Sequence, residues 1–241
     1  IDEAIGKEGY ETFKRKMFNL ACSPDVVLGF DQQQLTWFME YLLTGNDIRI
    51  PDDSFGRSMN DLSLEEQMEY YLRLAQAMKN LNSGTDEAFC YRMVAQLLRQ
   101  TGQNDKAKCY DASGLLAVGN AREAIDLVQP LIINDKSFLG LFKSKKTYSI
   151  EERIISTMAL GISCKASIMA GDTKPSYNKA HKLMEITGKL RDMTSDEEDA
   201  RIIAKLVFEA IIDYFAMVCH TNEHDMAFTL YHFLNEGKCK S

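Results

Sequence analysis

The chain has 241 residues, 45% of them hydrophobic and 26% charged, with a net charge of −7 and a pI near 5.2. That balance fits one large or two small globular domains and argues against long disorder. It also argues against a broad nucleic-acid surface, which needs a concentrated positive face, while leaving room for a local basic patch.

Only four prolines and fourteen glycines are present to interrupt helices, so the expected class is all-α. Residues 2–21 read as a first amphipathic helix, closed by Ser23-Pro24 because proline disfavours helix in the residue before it. Asp31 caps a second helix, Gln32 to Leu43, ended by Gly45-Asn46. Its stripe of Trp37, Phe38, Tyr41 and Leu42 reads as core. Residues 46–62 read as an irregular loop with one short turn. Ser63-Leu64-Glu65-Glu66 is a capping-box signature opening a helix to about Leu81. Three short helices follow: Asp86 to Gln100, Asp105 to Val118, and Ala121 to Ile133, the last kinked or cut short by Pro130.

A loop over 134–149 holds Lys143, Lys145 and Lys146, and lacks the glycine and lysine–hydroxyl order of a phosphate loop. Ser149-Ile150-Glu151-Glu152 then starts a long helix through Ala170. Its apolar run is interrupted by Lys165 and falls short of a membrane span, so it reads as a buried central helix. A turn at Gly171 to Pro175 leads to a helix from Ser176 to about Arg191. Ser195 opens another, running to Cys219, and a last helix spans roughly Glu223 to Asn235. The sum is about ten antiparallel helices. The expected division is an N-terminal helical segment, 1–62, and a repeat-like domain, 63–241; one continuous domain is the alternative.

Six cysteines (Cys22, Cys90, Cys109, Cys164, Cys219, Cys239) are scattered without a C-x-x-C pair, which fits a reduced cytoplasmic setting. The chain begins with Ile1 rather than methionine, which reads as a piece of a longer or processed protein, and no segment has the form of a signal peptide.

Two echoes stand seventeen residues apart: Gly102…Ala107 is answered by Gly119…Ala124. Half of a helix–turn–helix repeat of about 34 residues is one helix plus one turn. Tyr91, Val94, Ala95, Leu98, Gly102 and Ala107 stand where the tetratricopeptide repeat places its bulky, small and turn residues. Asp111 and Gly114 follow where that family has an aromatic and a small residue. Ala112, Leu115, Gly119, Ala124, Val128 and Leu131 make an overlapping second match, and Tyr214, Phe215, Val218, Ala227, Tyr231 and Leu234 a weaker third. The chain thus resembles the tetratricopeptide-repeat family, most clearly over 88–131. The resemblance implies an α-solenoid; an irregular helical bundle is the alternative.

Arg92, Gln96 and Arg99 are spaced to share one helix face. In clamp-type members of that family, basic and amide residues at comparable positions grip a peptide's terminal carboxylate. His220-Thr221-Asn222-Glu223-His224 has the H-x-x-E-H form of a zinc site, but falls at an expected turn, where ordinary turn chemistry is the better reading. Asp196-Glu197-Glu198-Asp199 reads as a helix cap rather than a metal motif. The functional expectation is a protein–protein interaction module, not an enzyme, without cofactor. It would hold a peptide or helix in a concave groove through Arg92, Gln96 and Arg99, with no nucleic-acid or membrane contact. The alternatives are a peptide-sensing part of a multidomain, bacterial-type transcription regulator and, less well supported, a metal-dependent hydrolase at His220, Glu223 and His224.

Overall fold

Ser63 and Ser149 start their helices as their sequence contexts predict. The Glu66 amide donates to Ser63 Oγ (3.2 Å) and the Glu66 carboxylate accepts from the Ser63 amide (2.9 Å). The same reciprocal pair joins Ser149 and Glu152 (3.1 and 2.7 Å). The computed structural model describes residues 12, 16–43, 58–133, 148–221 and 223–238, which are helical with no strand among them. The expected loops at 46–57 and 134–147, Gly45-Asn46, Cys239 and most of the first helix lie outside them.

Helix α1 covers 16–21. It is followed by α2 (Pro24–Gly29), α3 (Gln32–Leu43), α4 (Leu64–Asn80), α5 (Gly84–Gln100), α6 (Asn104–Ala117) and α7 (Ala121–Val128). Then come α8 (Ile150–Met169), α9 (Thr173–Thr187), the short α10 (Leu190–Met193), α11 (Glu197–Val218) and α12 (His224–Lys238).

Four boundaries differ from the sequence reading, each for a local reason. Pro24 opens α2 at its first position, where no amide is needed, instead of only closing what precedes it. Pro130 stops α7 at Val128 and leaves a 3-10 turn, Gln129–Leu131. Pro175 is accommodated in the first turn of α9, so that helix begins at Thr173 rather than Ser176, and it ends at Thr187, before Gly188. Asp196, not Ser195, caps α11, its Oδ1 accepting from the amides of Glu198 (2.8 Å) and Asp199 (3.0 Å).

The chain divides into two compact units, 1–118 and 119–241, and the first of them joins α4 to the helices on either side of it. The reason lies in α4, which is apolar on two sides. Tyr70, Leu74, Ala77 and Met78 enter one cluster with Phe18, Cys22, Val27, Leu35 and Met39. Met68, Tyr71 and Leu72 pack against Val94, Ala95, Leu98 and Ala107 of α5 and α6. Polar ties add to the first: Tyr70 donates to the Cys22 carbonyl (2.7 Å), Arg73 to the Phe30 carbonyl (2.8 Å), and Asn80 to Thr36 Oγ1 (3.2 Å). Trp37 is not core. It is 61% exposed, while Leu35 and Met39 fill the interior from the other side of α3.

In the second unit α8 is the buried central helix that its small, apolar sequence predicts, packed by α7, α9 and α11. Gly161 lets α11 come close, since a Cβ there would lie 2.8 Å from that of Ala210. Lys165 and Asp213 meet one turn further along both helices (3.0 Å), so α8 and α11 run parallel. Ser176 joins α9 to this pair: its hydroxyl donates to the Cys164 carbonyl (3.1 Å) and lies within hydrogen-bond distance of Tyr214 Oη (2.8 Å).

One turn recurs. Asn82, Gly102 and Gly171 hold positive φ (56°, 79° and 83°). Each is followed by one bridging residue, Ser83, Gln103 or Asp172, with ψ of 76°, 57° and 67°, and then by the next helix. Each bridging amide donates back across the turn, to the carbonyl of Met78, Leu98 or Ser167 (2.9 Å each). Gly119 (φ 84°) and Asn120 (ψ 59°) repeat the backbone angles. A Cβ on Gly102 or Gly171 would meet open space, so alanine there pays only for left-handed strain. Gly102→Ala and Gly171→Ala should each cost about 1–2 kcal/mol in urea unfolding. Asn82→Gly should cost nothing or stabilise.

Candidate functional site

Helix α5 separates its residues sharply. Ala88, Cys90, Val94, Ala95, Leu97 and Leu98 are buried, and the outer stripe is Thr85, Phe89, Arg92, Gln96 and Arg99, at alternating steps of four and three. The stripe stays outward because α6 fits closely against the inner face. A Cβ on Gly84 would collide with the Ala117 carbonyl, and one on Gly114 would lie 3.3 Å from the Ala88 carbonyl. Tyr91 and Tyr110 continue this antiparallel approach with ring centroids 6.2 Å apart. Gly114 thus supplies the close contact that a small residue is needed for.

Arg92, Gln96 and Arg99 therefore do share one exposed face. They are not equivalent. Arg99 is ion-paired with Asp111 of α6, its side chain 48% exposed and that of Asp111 22%. Arg92 and Gln96 have no side-chain partner among the described residues and are free to bind. Phe89, 39% exposed and one turn from Arg92, is a member of the stripe that sequence reasoning missed. Its ring touches Tyr71 edge-on at 6.4 Å, leaving the rest outward. The signal was present in the spacing 85–89–92–96, but an aromatic in a helical repeat reads first as core.

The other candidates do not assemble. His220 lies in the turn after α11 and His224 opens α12, both exposed, and Asn222 lies outside the described residues. No group of three or more His, Cys, Asp or Glu is placed to hold a metal among the described residues. Asp196 and its neighbours cap α11. None of the described helices is long and apolar enough to cross a membrane.

The described cysteines are free thiols, and four of them (Cys22, Cys90, Cys109, Cys164) are buried. Burial pushes the Cys109 and Cys164 thiols up to about 12, and Cys22 and Cys90 well above their ordinary value. Such groups stay protonated and are poor nucleophiles. Of these five, only the exposed Cys219 should be alkylated by iodoacetamide in the native protein at pH 8, as read by peptide mass spectrometry. The other four should react only after unfolding.

No family model matches the chain, and no curated protein or solved structure matches it either.

Proposed function

We propose that the protein is a non-catalytic interaction module that holds a peptide or helix from another protein against the outer stripe of α5. The observation that carries this reading is the stripe itself: an exposed aromatic, Phe89, followed at helical spacing by Arg92 and Gln96, which have no side-chain partner among the described residues. Aromatic residues and arginine are the types that most often dominate binding energy at protein interfaces. Arg99, tied to Asp111, would contribute at the edge.

Two further features support a repeat-like scaffold of the tetratricopeptide kind. One is the recurring αL turn; the other is the hairpin α8–α9 followed by a helix, α11, parallel to its first member. Stacked helical hairpins of that type present extended faces to partners.

Peptides selected from a displayed random library on the immobilised protein provide the test, with affinities measured by fluorescence anisotropy. Phe89→Ala/Arg92→Ala should weaken the selected peptides about tenfold or more. Arg201→Ala/Lys205→Ala, on α11, should leave them unchanged. Equal binding by the Phe89/Arg92 variant, or no selected peptide at all, would contradict the proposal.

A further inference from the structure

The second unit gathers positive charge on one segment of an acidic chain. Residues 173–193, α9 and α10, hold Lys174, Lys179, Lys182, Lys189 and Arg191 against only Glu185 and Asp192, in a protein of net charge −7. Three cations of α8 and α11 face carboxylates: Lys165 meets Asp213 at 3.0 Å, Arg201 meets Glu198 at 3.2 Å, and Lys205 meets Glu209 at 3.9 Å, while Arg153 of α8 donates to the Tyr148 carbonyl. None of the five cations of α9 and α10 has an ion pair among the described residues. Lys174 also sits in the first turn of α9, which has no acidic residue, and so adds to the positive end of the helix dipole.

Lys179 is a partly buried member of this group. Its ammonium is half-buried, and its partners among the described residues are neutral: Ser167 Oγ at 2.7 Å and the Ser163 carbonyl at 3.4 Å. Burial lowers its pKa, against weaker opposing pulls from Cys164 and then Asp172, and Asp172 forms no ion pair among the described residues. On α8 beside these partners, the Ser163 hydroxyl is fully buried and has no hydrogen-bond partner among the described residues. Lys182 stands three residues on, on the same side of α9 and exposed. A partly desolvated charge whose one acidic neighbour does not pair with it is under-compensated, and a carboxylate arriving from outside would supply the missing partner.

We propose that this surface docks a short acidic peptide segment, one carboxylate of which pairs with Lys179 while others meet Lys182, Lys189 and Arg191. A fifteen-residue helix is about 22 Å long, enough for a short segment. A nucleic acid needs a longer positive track, and α11 opens with Glu197, Glu198 and Asp199. The site is separate from the α5 stripe, and either can fail alone.

The probe is a short fluorescein-labelled peptide of alternating glutamate and glycine, measured by anisotropy at rising salt. The parent protein binds it, and salt weakens the binding. Lys179→Gln/Lys182→Gln/Lys189→Gln weakens it about tenfold, whereas Arg201→Gln/Lys205→Gln, on already paired cations, leaves it unchanged. Lys179→Met keeps the aliphatic stem, melts no lower than the parent by circular dichroism and still binds less tightly. Equal weakening by both sets, no binding by the parent, or a lower melting temperature for Lys179→Met overturns the proposal. Tighter binding of oligothymidylate or of phosphatidylserine vesicles than of the peptide overturns it as well.

Discussion

A helix can double back within two residues only if one of them takes a left-handed backbone, and much of this structure depends on that condition. Asn82, Gly102 and Gly171 meet it, and the amide that follows each one closes the turn by reaching the carbonyl five residues back. The turns leave no slack. Consecutive helices must lie against each other from their first residues, and the sequence then has to supply small side chains where backbones approach.

It does so at two kinds of place. In the first unit Gly84 and Gly114 allow α5 and α6 to close up, and in the second Gly161 admits Ala210 of α11. Serines take part too: Ser176 bonds the Cys164 carbonyl and the Tyr214 hydroxyl, which turns buried polar atoms into ties between α8, α9 and α11. Tight inner faces leave the outer faces free of structural duty. The α5 stripe and the α9 cations are two outer faces on which side chains lack partners among the described residues, and this is why both are read as binding surfaces.

The sequence showed this architecture to the extent that its determinants are local. Capping pairs such as Ser63/Glu66 and Ser149/Glu152 satisfy each other within one turn, so they can be recognised without a fold. The glycines at 102 and 119 were equally legible, because positive φ has few other solutions. What depended on packing was not. Trp37 looked like core by type, yet burial on α3 falls to Leu35 and Met39, and only the position of α4 decides which side faces inward. Asn82 takes the same turn as the glycines but does not advertise it. At the candidate site, the shared face of Arg92, Gln96 and Arg99 followed from spacing. The capture of Arg99 by Asp111 did not, since it joins two helices twelve residues apart in sequence. The division between units at Val118 and Gly119 was also hidden, because the break falls inside a pair of matching echoes and α4 carries apolar residues on both sides.

The turns that impose this packing can be observed one amide at a time. Hydrogen–deuterium exchange followed by NMR should find the amides of Ser83, Gln103 and Asp172 protected to the same degree as those in the middle of the adjoining helices. Exchange of these amides at the rate of an unstructured peptide, while the helices on either side stay protected, would contradict the account.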